Sequence, residues 1–532
     1  MTIKFQTQRL CGLLAAACLT LAPGCGGSDD ADAGGEGPEP MGGGDDSDSA
    51  GPGETPVGPG VGQGGAQDFG QFRAILEAGD IPGPETLDDV GFFNEHKVEM
   101  PAPECGDDVC IHGMLGVMGN MLSGANCTLV LLGMNTPIDP TEIERPPLNL
   151  AIAVDTSGSM AGAPIEHVRE GLRRMSDVLR TEDRVSLVTF DDGAAVLAEA
   201  VAGDSADLQV AISELSTGGS TNMYEGLRTA YEVVADHAVL GQQNRVMLLS
   251  DGQATTGLLN DDKLTNLSTA YAIEGLGLST VGLGLDFDPT LMRTLAETGG
   301  GAFYFLESHA AVEEVFEQEA QALLLPLASE VSIDLDVSSG YQLRGLYGTK
   351  LADVGLHTAH MEIPSLHIAH RESTGDNEGG RRGGGGAIVA ELIPTEGAQP
   401  DGDRVGTISM RYRVPGAEDL VMQSAEILSP LEPGETPTEG WFDTEGAEKA
   451  FVTLNLYIGF LLASERAAVG DDGGALNLLV ALEASVDGWL QTNDDEDIID
   501  DQRYVVMFID NLMARGAAIP PPSKPPEPWP AD

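Results

Sequence analysis

Five oxygen-bearing side chains sit in three short stretches of this chain. Asp155-Thr156-Ser157-Gly158-Ser159 follows the apolar run Leu148 to Val154. The Gly-rich stretch Ser216 to Asn222 offers Thr221, and a second apolar run, Val246 to Ser250, ends in Asp251. Carboxylates and hydroxyls are hard donors, the kind that Mg²⁺ takes in a six-oxygen octahedron and that Mn²⁺ or Ca²⁺ also accepts. A strand end holds such donors rigidly, and Gly158 lets the backbone turn tightly beside them. A D-x-S-x-S string alone says little, because short acidic-Ser strings are common. Three stretches in this order, two of them at strand ends, say much more.

The elements that must position these residues are legible from hydrophobic periodicity. Residues 148 to about 325 alternate strand and helix. Strands are expected at 148–154, 185–190, 195–201, 245–250, 278–284 and 302–306, with helices near 163–180, 206–215, 223–238, 261–275, 289–298 and 310–324. Near-continuous apolar strands alternating with amphipathic helices predict a parallel sheet covered on both faces. The exception is 185–190 with 195–201, joined by Asp191-Asp192-Gly193, which reads as a hairpin. Asp191 and Asp192 thus lie near the sheet end too, either supporting the site residues from behind or, the favoured reading, serving only as hairpin residues. The fold class is α/β, a doubly wound and mostly parallel sheet, with an accessory β-sandwich and C-terminal helices. Such sheets bind ligands at the carboxyl ends of their strands, where Asp155, Ser157, Ser159 and Asp251 fall.

The trio of stretches resembles the metal-ion-dependent adhesion site of von Willebrand factor type A domains. The whole arrangement resembles bacterial surface lipoproteins that carry such a domain after an N-terminal helical segment. The resemblance covers about 148–306 and extends to 68–95 and 330–415, where Gly384 to Leu392 and Met410-Arg411-Tyr412-Arg413 look familiar. It implies that Ser157, Ser159 and Thr221 bind a Mg-type ion through hydroxyl oxygen, with Asp155 and Asp251 acting directly or through water. An ion held by neutral hydroxyls and only two carboxylates stays electron-poor. An exposed Glu or Asp of a protein ligand can then complete its coordination.

The expected segmentation is a signal peptide at 1–25, a Gly/Asp/Pro linker at 26–66, an N-terminal accessory segment at 67–145, the A-type domain at 146–326, a sandwich-like region at 327–416, a helical region at 417–518 and a Pro-rich tail at 519–532. Lys4 and Arg9 precede the apolar stretch Leu10 to Ala22, which is too short to span a bilayer. Leu21-Ala22-Pro23-Gly24-Cys25-Gly26 looks like a bacterial lipoprotein processing site, with Cys25 as the lipidated residue. The usual Leu three residues before the Cys is Ala22 here, and ordinary secretion is the alternative. The expected location is the cell envelope, on the outer membrane by analogy, because Gly26 is not a retention Asp.

Formal net charge is -58, from 27 basic and 85 acidic residues. Phosphates would repel such a chain, which argues against nucleic acid as a partner, and anionic lipid headgroups would repel it too. Cys105, Cys110 and Cys127 remain after Cys11, Cys18 and Cys25 are set aside; two of the three are expected to pair, and the pairing is open. Their C-x4-C-x16-C spacing, with His112 nearby, lacks a zinc-knuckle pattern. His357, His360, His367 and His370 form two His-x-x-His pairs, but residues three apart on a strand point to opposite faces. The acidic run Asp494 to Asp497 with Asp500 and Asp501 lacks a calcium-loop Gly and reads as a helix cap. A hydrolase built on Ser159 and His167 lacks the G-x-S-x-G elbow. The leading expectation is a metal-dependent binding protein. The alternative is an envelope scaffold whose metal site is structural.

Overall fold

The computed structural model describes residues 59–519 except 64, 67–68, 140–145, 240, 285–286, 307–314, 317–325, 369–385, 396–402, 416 and 418. The expected signal, Cys25, most of the linker, all but residues 315–316 of the helix expected at 310–324, His370 and nearly all of the Pro-rich tail lie outside the described residues.

The central sheet is built from β1 (Leu148–Asp155), β2 (Arg184–Phe190), β3 (Ala194–Ala202), β4 (Gln243–Ser250), β5 (Leu276–Leu283) and β6 (Gly300–Leu306). Between them run α1 (Ala163–Val178), α2 (Ala206–Glu214), α3 (Met223–His237), α4 (Asp261–Ile273) and α5 (Pro289–Thr298). The strand order is β6-β5-β4-β1-β2-β3, with Gly65–Ala66 added outside β6. All pairs are parallel except the β2–β3 hairpin. Strand alternation explains the two-sided burial. Leu150, Ile152 and Val154 face Ile165, Val168 and Leu172 of α1, whereas Ala151 and Ala153 face Leu227, Ala230 and Val234 of α3. The chain leaves β1 for β2 on one side and later returns to β4 on the other. The carboxyl ends of β1 and β4 therefore diverge into a topological switch point.

A β-sandwich forms the second layer system, and its extent differs from the expected 327–416. One sheet runs Val61–Gln63, Thr358–Ile368, Pro326–Val337, Arg404–Arg413, Leu420–Leu428, with Ala352–Val354 paired beside Thr358–Ile368. The other runs Tyr341–Tyr347, Ile388–Pro394, Asn126–Asn135, Cys110–Gly119, Trp441–Phe442. The hairpin at 110–135, expected in the accessory segment, thus supplies two strands of the sandwich, and strands at 420–428 and 441–442 precede the C-terminal helices. The physical reason is pairing: Leu129 to Leu132 register against Ile388 to Glu391, so strands distant in sequence satisfy each other's backbone groups. Val61 to Gln63, expected in the linker, are strand residues with buried side chains.

Helices Glu445–Ala468, Asp472–Leu490 and Glu496–Ala514 share one core with the N-terminal helices Gly70–Glu77 and Asp89–Glu95, through Phe69, Phe72, Phe92 and Phe93. His96 Nε2 meets Asp501 at 2.6 Å with both side chains fully buried, which pins the N-terminal piece to the last helix. Asp495 caps that helix by accepting from the Ile498 amide at 3.1 Å, and Lys449 lies 2.8 Å from both Asp495 and Asp497.

The cysteine pairing is Cys105 with Cys110, their Cα atoms 5.6 Å apart. Cys127 is a buried free thiol that burial pushes up to about 12, which keeps it protonated and inert. His112 hydrogen-bonds Asn135 at 2.8 Å. The described members of the histidine quartet are separated. His360 is exposed between Asp334 and Glu362, His367 is buried against Arg245, and His357 lies outside the strand Thr358–Ile368. Among the described residues no helix is long and apolar enough to cross a membrane.

Candidate metal centre

Asp155 ends β1 with its side chain fully buried. Its Oδ1 accepts from the Ser157 amide at 2.9 Å, and its Oδ2 accepts from the Ser250 hydroxyl at 2.7 Å. The carboxylate is thus aimed before any ligand arrives. β1 and β4 are in register with Val154 opposite Leu249, which brings Ser250 and Asp251 alongside Asp155.

The serine loop closes onto this pair. Ser157 Oγ lies 3.0 Å from Ser159 Oγ, and Ser159 Oγ donates to Asp251 Oδ1 at 2.8 Å. Two residues from the first stretch therefore touch the third stretch directly. The second stretch is tied on by backbone: the Gly218 amide donates to the Thr156 carbonyl at 2.7 Å, and the Gly158 amide to the Gly219 carbonyl at 3.2 Å. Gly219 holds φ +82, a left-handed conformation, and a Cβ there would come within 3.1 Å of Asp191 Cβ. Thr221 is buried, its amide bonded to Thr255 Oγ1 at 2.9 Å and its carbonyl accepting from the Thr255 and Thr256 amides. Asn222 follows and caps α3 through the Glu225 amide.

Two supporting groups, Ser250 and the pair Thr255 and Thr256, were not singled out in the sequence. Ser250 orients Asp155, and its signal is a hydroxyl at the end of an apolar strand just before an acid. Thr255 and Thr256 fix the backbone of Thr221. Asp192 does more than close the hairpin: it accepts from both the amide and the hydroxyl of Ser220, and these bonds hold it below the usual carboxylate range. Burial pushes the Asp155 carboxyl up; its bonds from Ser250 and Ser157 oppose that, and the nearby Asp191 adds to it. A cation at the Ser157–Ser159–Asp251 oxygens would reverse the balance in favour of the charged form.

The donor set fits a hard divalent ion. Asp155, Ser157, Ser159 and Asp251 converge on one spot, and the loop carrying Thr221 is clamped to it. Among the described residues no group of three or more His, Cys, Asp or Glu converges, so the candidate site is rich in hydroxyls and carries two carboxylates. No hydrogen bond joins Ser159 to His167 among the described residues, and the nucleophile–base contact of a hydrolase is not formed.

Fold and site together define a doubly wound α/β domain with an oxygen-lined site at its switch point. Residues 150–253 match the family model of the von Willebrand factor type A domain. The chain is similar to the Escherichia coli K12 protein YfbK, 25% identical over 201 residues that cover 37% of this chain and 35% of that protein. It is similar to the Synechocystis protein sll0103, 30% identical over 183 residues, 34% of this chain and 42% of the relative. It is also similar to human inter-alpha-trypsin inhibitor heavy chain H2, 25% identical over 206 residues, 37% of this chain and 21% of the relative. The matches thus span less than half of each relative. Among solved structures, a von Willebrand factor type A protein from Catenulispora acidiphila aligns over 76% of this chain and 96% of its own, at 15% identity and a TM-score of 0.47.

Proposed function

We propose that this protein is a non-catalytic, divalent-cation-dependent protein-binding module. Von Willebrand factor type A domains are typically metal-dependent interaction domains, which is the coarser statement the family match supports. The observation that carries the finer reading is the chain of oxygens Ser157–Ser159–Asp251, with contacts of 3.0 and 2.8 Å, beside the buried Asp155. Ser157, Ser159 and Thr221 would hold a Mg-type ion (Mn²⁺ or Ca²⁺ having the same donor preference) through hydroxyl oxygen, with Asp155 and Asp251 directly or through water. When bound, the ion supplies a Lewis-acidic position for one further anionic oxygen. The chain's own contribution is preorganisation: Ser250 aims Asp155, Thr255 and Thr256 fix Thr221, and Asp192 shapes the glycine-rich loop. The ligand is a protein offering an exposed Glu or Asp side chain.

The proposed setting is the bacterial cell envelope, with a lipid on Cys25 as the anchor. The support is the sequence pattern of residues 4–26 alone.

The test is a pull-down from envelope extract in Mg²⁺, eluted with EDTA, using the protein and its Asp155→Ala variant. Partners that elute with chelator and fail to bind the variant support the proposal. Partners retained in both conditions indicate the scaffold with a structural metal instead.

A further inference from the structure

Arg245 lies near the start of β4, at the end of the sheet opposite the oxygen-lined site. Its side chain is 7% exposed, yet it lines a cleft of about 720 Å³ between the central sheet and the sandwich. The guanidinium has five donors and no acceptor. Among the described residues its partners are the Gly300 carbonyl, 2.9 Å from Nη1, and His367 Nε2, 3.5 Å from Nη2. No carboxylate among the described residues lies within ion-pair distance of it. Burial pushes the guanidinium down only to about 10, so it stays charged at neutral pH. Burial and the Arg245 charge push His367 down to about 3, so the imidazole is neutral and adds no second cation. Among the described residues its Nδ1 is buried without a hydrogen-bond partner. Room for the guanidinium is built in: a Cβ on Gly277 would come within 2.6 Å of Arg245 Nη1.

A buried cation without a counter-charge is costly, and here it sits in a cleft open to solvent. The remaining walls choose the ligand. Ala272, Ile273, Pro364 and Pro415 give apolar surface, and Ile273 is 79% exposed. Glu330 and Glu362 also line the cleft, each with an arginine beside it, Arg413 at 3.0 Å and Arg411 at 3.5 Å. One fork-shaped cation, apolar walls and acidic neighbours disfavour a dianionic phosphate and match a single carboxylate with an apolar tail.

We propose that this cleft binds a small amphipathic monocarboxylate, its carboxylate against Arg245 and its apolar part against Ile273, Pro364 and Pro415. The site is independent of the divalent cation.

The test uses the full chain with sodium hexanoate as probe, followed by calorimetric titration and thermal melting in the presence of EDTA. Expected are saturable hexanoate binding and a rise in melting temperature that grows from acetate to hexanoate and is absent with hexan-1-ol or inorganic phosphate. Arg245→Met should weaken hexanoate about thirtyfold or more, as expected for losing one partner of a desolvated charge pair. Ile273→Glu, at an exposed position where folding is not at stake, should weaken it severalfold by placing a negative charge at the mouth. Hexanoate binding that is non-saturable, matched by hexan-1-ol, or unchanged in Ile273→Glu overturns the proposal, even if Arg245→Met fails to fold.

Discussion

Strand β4 carries opposite chemistry at its two ends. Asp251 follows its last residue and joins a cluster of oxygens, while Arg245, six residues earlier and roughly 20 Å away at about 3.3 Å per residue, presents a buried guanidinium. The oxygens can satisfy one another because hydroxyls both donate and accept, so Ser157, Ser159 and Asp251 form a closed relay. The guanidinium has only donors and leans on a carbonyl and a neutral imidazole. The lesson is that a cation site can be preassembled cheaply from hydroxyls, whereas an anion site built on one arginine keeps its electrostatic cost until a ligand or counter-ion arrives.

The largest expected effect tests the oxygen end. Asp155→Ala removes the acceptor of the Ser157 amide and the Ser250 hydroxyl. It should abolish Mn²⁺ binding in a calorimetric titration and cost about 2–4 kcal/mol in urea unfolding, from two buried donors left unsatisfied. Binding of Mn²⁺ within a few-fold of the parent would end the cation assignment for this end of β4.

Next comes a buried charge with an escape that Arg245 lacks. Glu297 on α5 is raised to about 8, by burial first and Asp88 second, with Arg293 opposing. The folded form therefore keeps a proton that the unfolded form releases above about 4.5. Stability present below that value is lost as pH rises toward about 8, by an amount on the order of a few kcal/mol. Glu297→Gln should flatten this loss in urea titrations at pH 5 and pH 8. Equal slopes for both proteins would show that the carboxyl is not neutral in the fold.

A smaller effect separates aiming from binding. Ser250→Ala should weaken Mn²⁺ about tenfold while Asp155 stays in place, the usual cost of losing an outer hydrogen bond to a ligand. Smallest is Asp192→Ala. Its carboxylate is exposed to water, so the change should weaken Mn²⁺ by no more than a few-fold, and the effect should shrink in high salt.

The central sheet was legible because its strands are buried on both faces, so runs such as Leu148 to Val154 carry an unbroken apolar signal, and Asp191-Asp192-Gly193 marks the hairpin. The five candidate residues stand out in the sequence as oxygen-bearing types at two strand ends and in one glycine-rich loop, and the fold brings Asp251 to Ser159 and the Thr221 loop to the Ser157 loop. The sandwich was only half legible. Leu132 and Ile388 pair across more than two hundred residues, and a short alternating strand carries no mark of its partner. The Cys105–Cys110 bridge stayed open in sequence because spacing alone also allowed Cys127 to pair. His360 and His367, an odd separation apart along one strand, point to opposite faces, one to solvent and one to Arg245. Ser250, Thr255 and Thr256 were hidden because their work depends on which loop lies beside them.

The short strands Val61–Gln63 and Gly65–Ala66 have a consequence for unfolding. The first pairs with Leu366 to Ile368 in the sandwich, and the second with Ala302 and Phe303 in the central sheet. Five strand residues, Val61–Gln63 and Gly65–Ala66, thus stitch together two hydrogen-bond networks. Heating should accordingly give a single calorimetric peak for the folded part, and cutting the chain before Phe69 should split that peak in two.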